Sequence, residues 1–567
     1  MNDISIVLCG EAGQGIQTVE QLFTKIGIKS GFNIFSTKEY MSRVRGGSNS
    51  TQLRISNEPV SAYIHRIDIL IPLSTDAMNH LGDRISKNTI IIGEKKNIKN
   101  QKTHTVIQIP FSEYAIEIGG LVFANTIAVG LLSALCKIDK NIMTTQVEHF
   151  FSKKKKALVQ NNIIAIKKGY DIGNDLVKKG KIHTTISVPK KQHDTITLNG
   201  TQAIGLGALA GGCNFISSYP MSPSTGVLSF LSRQSNTVDM IVEQAEDEIA
   251  AINMVLGAWY AGARAMVTTS GGGYALMAEG VSLAGMIESP LVIHLAQRPG
   301  PATGLPTRTE QADLELALYS SHGEFPRIIF APGNLQDGVY LTQKAFNLAD
   351  KYQVPVYILT DQYFVDSYYN IPGISLEGIS NTPYVAKTKK NYHRYELTKN
   401  GISPRGIPGY GNGLVCVDSD EHDEEGRITE SGKIRTEMVD KRLKKLKEIT
   451  MEIIPPTLLG NKQYHTLIIG WGSTYHIIKE AVEKIRNKNI SFLHFNQVYP
   501  LHKDTISYLK KAEKTIIFEN NATAQFSKLI KLHTGYEIEH NILQYNGLPF
   551  SVETVEKHIK NLIKEEK

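Results

Sequence analysis

Short apolar runs recur between residues 195 and 375: NFISSYP, ARAMVTTS, LVIHLAQ, RIIFAP and VPVYILTD. Each is too brief for a helix and lacks the polar alternation of a half-exposed strand, so each reads as a strand buried on both faces. Helical stretches lie between them, and that succession closes into a parallel sheet with helices on both sides. The same rhythm appears at either end of the chain. In residues 1–180, ISIVLCG leads through GEAGQG into an amphipathic helix, and TQLRIS, DILIPL and NTIIIG follow as strands. In residues 456–567, YHTLIIGWGST, SFLHFNQVYP and EKTIIFENN repeat it. A chain of 567 residues exceeds one core; at about 100–200 residues per domain, three or four are expected.

Residues 181–194 (KIHTTISVPKKQHD) are polar, without apolar periodicity, and read as a linker. The segment 376–455 reads as an irregular connecting region ending in a charged helix, TEMVDKRLKKLKEI. The Lys153–Lys156 run reads as a solvated helix face.

Composition removes several functions. A formal charge of +7, spread along the chain, does not suit nucleic acid. Cys9, Cys136, Cys213 and Cys416 are far apart and form no CxxC, so no zinc or iron–sulfur ligand set and no disulfide framework is expected. The acidic DSDEHDEE fits no metal-ligand spacing and reads as loop. The start lacks the pattern of a signal peptide. The uncharged run Ile118–Cys136 carries Gly119, Gly120, Asn125, Thr126, Gly130 and Ser133, and reads as a buried helix, not a membrane span. A cytoplasmic protein is expected.

Four turn-rich segments are candidates for chemistry. In GEAGQG, Gly10, Gly13 and Gly15 precede a helix, which suits either a plain strand-to-helix turn or a phosphate or pantetheine site; the spacing is not the dinucleotide fingerprint. In SSYPMSPST (217–225), Pro220 and Pro223 stiffen the backbone around Ser222, which presents a hydroxyl or merely ends a strand. Glu246, Asp247 and Glu248 open a helix of small apolar residues. Acids there favour the helix dipole, but a buried carboxyl can also share a proton with a heterocycle. QRPGPATGLPTRTEQADL (297–314) carries Arg298, Thr303, Thr307 and Arg308; arginine forks onto carboxylates, or sits incidentally in a loop.

In order along the chain, GEAGQG, SRVRGGSNSTQLRIS, SSYPMSPST, QAEDEIAAIN, TSGGGYALM, QRPGPATGLPTRTEQADL, VDSDEHDEEGRITE, MVDKRLKKL and FENNATAQFSKLI resemble the alpha subunit of 2-oxoacid:ferredoxin oxidoreductases with a gamma domain fused at its N-terminus. The resemblance spans essentially the whole chain. That family usually has threonine where Ser222 stands, and SGPG where Ser270–Gly273 reads SGGG.

The resemblance implies an α/β protein of three domains: a gamma-type, coenzyme A-associated domain (1–180), a thiamine diphosphate pyrimidine-binding domain with a parallel sheet (195–375) and a transketolase C-terminal-like domain (456–567). It implies thiamine diphosphate at a site that Glu248 shares with Pro220, Ser270 and Gly271. Glu248 would hydrogen-bond the pyrimidine nitrogen, with Glu246 the alternative one step away. Ser222, Arg298 and Thr307 would contact the oxoacid, and Gly13, Gly15 and Arg45 coenzyme A.

The chain has no GDG motif and no cysteine cluster. The resemblance therefore implies a separate beta subunit carrying that motif, Mg2+ and a 4Fe–4S cluster, in an alpha2beta2 assembly that reduces ferredoxin or flavodoxin. No metal is expected on this chain. Fused gamma–alpha order and SPRGIPG…SDEHDEEG resemble the 2-oxoglutarate group most, with Arg308 or a beta-subunit residue as the second cation. Pyruvate or a branched-chain 2-oxoacid, or a non-catalytic scaffold, are the alternatives.

Overall fold

The computed structural model describes residues 3–11, 13–42, 47–98, 104–183, 185–189 and 194–564. Contacts group them into two compact units: residues 1–198, 367–373 and 551–553 in the first, and the remainder in the second.

The first unit is built on an eight-stranded sheet. Its strands are β1 (Asp3–Gly10), β2 (Asn33–Glu39), β3 (Asn49–Ser56), β4 (Ile69–Pro72), β5 (Ile90–Gly93), β6 (Thr105–Gln108), β7 (Ile196–Asn199) and β14 (Tyr368–Ile371). Their order is β6-β5-β4-β1-β3-β2-β14-β7, parallel from β6 to β1 and antiparallel from β1 to β14. The helix Ile16–Lys29 turns Val19, Leu22, Phe23 and Ile26 inward at helical spacing. The uncharged run forms the buried helix Ala124–Leu135, crossed tightly by Lys156–Lys178. Only glycine permits that crossing: a Cβ on Gly169 would lie 1.9 Å from the Ile127 carbonyl oxygen, and one on Gly130 2.1 Å from that of Ile166. Among the described residues, no helix is long and apolar enough to cross a membrane. The expected lysine-rich helix face is corrected. Lys153–Lys155 form the exposed turn between two helices, and only Lys156 is helical, because consecutive like charges are best solvated where the chain reverses.

In the second unit, a seven-stranded sheet runs β18-β12-β13-β11-β10-β8-β9. Its members are β8 (Phe215–Ser218), β9 (Ile241–Gln244), β10 (Ala265–Thr269), β11 (Leu291–Gln297), β12 (Ile328–Phe330), β13 (Pro355–Asp361) and β18 (Gln497–Tyr499). All pairs are parallel except β12 with β18. β10, β11 and β13 are buried throughout, as their unbroken apolar runs require. A polar chain crosses this sheet: Thr268 Oγ1 meets His294 Nδ1 at 2.7 Å, and His294 Nε2 meets Thr360 Oγ1 at 2.8 Å.

A second sheet in this unit runs β15-β17-β16-β19-β20, from β15 (Thr457–Leu459), β16 (Thr466–Trp471), β17 (Ile490–Phe495), β19 (Lys514–Glu519) and β20 (His540–Leu543). The connecting region is largely irregular before the helix Gly432–Thr450. That helix anchors itself by burying Lys441 and Lys445, both of which pair with the buried Glu288.

Candidate active site

Strand order decides which loops meet. From β8 the chain goes to β9 on one side, then crosses to β10 on the other. In a parallel sheet, such a reversal opens a crevice outside the carboxyl ends of the strands. Ser222 follows β8, Glu248 follows β9, Ser270 follows β10 and Arg298 follows β11. Residues up to 76 positions apart are thereby gathered at one edge.

After β8, Ser224 Oγ donates to the Met221 carbonyl at 2.7 Å and tightens the turn. Ser222 is exposed, the half-buried Pro220 begins the turn, and the Ser222–Pro223 bond is cis. The Ser222 carbonyl is pinned by Arg298 Nη1 at 2.7 Å, so the arginine fixes the backbone that presents the hydroxyl.

After β9, Asp247 caps the helix Glu248–Tyr260 by accepting from the Ala250 N–H at 2.8 Å. Glu248 is thus the first helical residue, with Glu246 outside the helix. Glu248 is 3% exposed, and its Oε1 has no hydrogen-bond partner. Burial, reinforced by the Asp247 charge, pushes its carboxyl above the usual range against the pull of its own N–H and Arg298.

After β10, Ser270 is fully buried with an unpartnered Oγ. The next glycines admit two carboxyls. A Cβ on Gly273 would stand 2.5 Å from Glu248 Oε1 and 2.3 Å from Thr269 Oγ1. One on Gly271 would stand 2.5 Å from each carboxyl oxygen of Asp313.

After β11, Gln297 accepts from the Asp313 N–H at 2.9 Å and donates to the Thr360 carbonyl at 3.1 Å, tying this loop to the sheet. Arg298 keeps a buried, unpartnered Nε. Burial lowers its pKa, opposed by Asp313 and Glu248. Thr307 is buried in the following loop and already engaged. Asp313 was not among the residues singled out by sequence; the only signal for it is its place at the end of TRTEQADL.

Four buried atoms at this edge therefore lack partners: Glu248 Oε1, Ser270 Oγ, Arg298 Nε and Asp313 Oδ2. Leaving such groups unsatisfied costs about 1–3 kcal/mol each, so their convergence marks a surface shaped for a polar ligand.

Gly13 and Gly15 lie in the first unit, both with positive φ, 89° and 79°. Gly15 starts the helix Ile16–Lys29 and faces Asn125, whose Nδ2 would be 2.1 Å from an added Cβ; Gly13 faces open space. Beside them a cavity of about 270 Å3 is lined by Gln14, Leu73, Glu94, Lys96, Asn97 and Asn125. Arg45 lies outside the described residues. Among those described, no cluster of acids, histidines and cysteines could hold a metal ion.

The fold and this edge define an α/β ligand-binding domain with a buried carboxyl at its switch point. Residues 206–441 match the family described as pyruvate flavodoxin/ferredoxin oxidoreductase, thiamine diphosphate-binding, and residues 5–172 match pyruvate ferredoxin/flavodoxin oxidoreductase. The chain is 30% identical to a Sulfolobus 2-oxoacid:ferredoxin oxidoreductase subunit alpha, over 99% of this chain and 97% of the relative. It is 26% identical to a Mycobacterium tuberculosis 2-oxoglutarate oxidoreductase subunit KorA, over 99% and 91%. A solved structure, 2-oxoglutarate:ferredoxin oxidoreductase from Magnetococcus marinus with 2-oxoglutarate, coenzyme A and succinyl-CoA bound, superposes with a TM-score of 0.93 at 30% identity, covering 99% of this chain and 100% of that one. The chain belongs to the 2-oxoacid:ferredoxin oxidoreductase alpha-subunit family.

Proposed function

We propose that this chain supplies half of a shared thiamine diphosphate site for the oxidative decarboxylation of 2-oxoglutarate with coenzyme A. The products are succinyl-CoA, carbon dioxide and an electron pair passed singly to ferredoxin or flavodoxin. The observation that carries this reading is Glu248: a buried carboxyl with one unpartnered oxygen, held beside a glycine loop. The residues fit the aminopyrimidine end of the cofactor. When bound, thiamine diphosphate supplies the carbanion stabilisation that decarboxylation needs.

The chain's own part is as follows. Glu248, its proton affinity raised by burial, holds a proton at a ring nitrogen. Gly271 and Gly273 let backbone and carboxyls come close where any side chain would collide. Arg298 receives the oxoacid carboxylate while fixing Ser222, whose hydroxyl, with Thr307, orients the keto group.

A beta subunit with the GDG motif, Mg2+ and a 4Fe–4S cluster completes the site, because this chain has neither the motif nor a cysteine cluster. An alpha2beta2 assembly in the cytoplasm follows from this reading. The first unit, through Gly13, Gly15 and Arg45, receives coenzyme A. The names of the Mycobacterium and Magnetococcus proteins favour 2-oxoglutarate over pyruvate or a branched-chain acid.

The test is Glu248→Gln in the purified complex. Decarboxylation should fall by about a hundredfold or more, the usual scale of a lost acid–base group, with assembly intact. Undiminished turnover would overturn the assignment. Rates on 2-oxoisovalerate equal to those on 2-oxoglutarate would overturn the substrate.

A further inference from the structure

We propose that Asp313 is a positioning residue that governs, through Arg298, whether the site accepts an anionic substrate. The inference rests on the reading of Arg298 as the carboxylate anchor. Asp313 is held against the site from two sides. Its N–H is bound to Gln297, the neighbour of Arg298, and its carboxyl lies against Gly271. Its Oδ2 and Arg298 Nε are both buried without hydrogen-bond partners. Arg298 instead gives Nη1 to the Ser222 carbonyl. An uncharged Asp313 leaves the guanidinium on Ser222 with its remaining donors available to an incoming carboxylate. An ionised Asp313 competes for the same guanidinium and repels the anion. Both effects weaken substrate binding as pH rises.

The surroundings bring the titration of Asp313 to neutrality, so both states are populated there. Burial and the Glu310 charge raise Asp313 to about 7, outweighing Arg298. Glu310 itself is raised to about 6 by burial. Glu248 acts on Arg298 from the β9 side, and the glycine loop adds no charge. On the far side, the amide of Gln525 donates to the Ala312 carbonyl, and Lys528 is paired with Glu315.

The experiment is calorimetric titration of the complete, cofactor-loaded complex with N-oxalylglycine, an unreactive analogue of 2-oxoglutarate. Affinity should weaken about thirtyfold between about pH 6 and pH 8.5, as the competent fraction falls. Near neutrality, binding should take up a proton, seen as a dependence of the heat on buffer ionisation enthalpy. Asp313→Asn should bind as wild type does at acid pH, lose the pH slope and the proton uptake, and flatten KM against pH. A flat wild-type profile would overturn the proposal without any variant. So would a slope that survives in Asp313→Asn, or loss of acid-pH binding in that variant. Failure of the analogue to bind at any pH would overturn the Arg298 reading itself.

Discussion

At the scale of single residues, the glycines of Ser270–Gly273 are not equivalent. Gly271 and Gly273 stand against carboxyl oxygens, whereas a Cβ on Gly272 would meet only the Ala302 carbonyl, at 3.7 Å. Gly272 lies in the first turn of the helix Gly271–Leu276, where an N–H has no helical acceptor and proline is tolerated. Gly272→Pro should therefore stabilise the protein by about 0.4–1 kcal/mol through the unfolded chain, measured by denaturant unfolding, and leave cofactor affinity unchanged. Gly273→Ala should displace the Glu248 carboxyl and weaken thiamine diphosphate binding by about tenfold or more, roughly 1.4 kcal/mol, read by fluorescence quenching in the complex. Glu248 was visible in sequence because three acids opening an apolar helix is an unusual local pattern. Asp313 was not, because nothing near it in the chain says that strand order will bring it against Gly271.

At the scale of elements, two buried polar devices tie pieces of the second unit together. His294 joins β10, β11 and β13, and burial lowers its pKa to about 3, so the folded ring stays neutral. The unfolded ring titrates at about 6.5. The folded pKa is the lower of the two, so its contribution is present above about 6.5 and is lost as pH falls from there towards 3. Between about pH 7 and 5 wild-type stability should lose about 2 kcal/mol that His294→Gln does not lose, as compared in denaturant melts at both pH values. The second device is Glu288. Burial alone would raise its carboxyl, but Lys445, Lys441 and Arg394 outweigh that and hold it far below the usual carboxylate range. Glu288→Gln would leave two buried ammonium groups unpaired and should cost about 3–5 kcal/mol in the same measurement. Sequence periodicity marked the strands and the charged helix well, since both follow from local pattern. It gave no sign that lysines of that helix would be buried, because their partner, Glu288, lies 153 positions from Lys441 and further still from Lys445.

At the scale of the whole molecule, the linear segments read from sequence are not the segments that fold together. Apolar rhythm located the strand runs, but pairing is a long-range choice that periodicity does not encode. β18, far along the chain, edges the sheet begun at β8. β7, which precedes β8, and β14, which falls between β13 and β18, instead extend the sheet of the first unit. β14 lies along β2, where Asn370 Oδ1 accepts from the Ile34 N–H at 2.8 Å and Tyr369 packs on Phe35 with ring centroids 6.2 Å apart. A fragment ending at Leu198 therefore loses the cover on β2 and exposes a row of unpaired backbone groups beside apolar side chains. Such an edge pairs with whatever strand it meets. The fragment should self-associate in size-exclusion chromatography. The same fragment with residues 367–373 appended through a flexible glycine–serine linker should elute as a monomer. Equal elution of the two would show that the first unit does not depend on β14 to close its sheet.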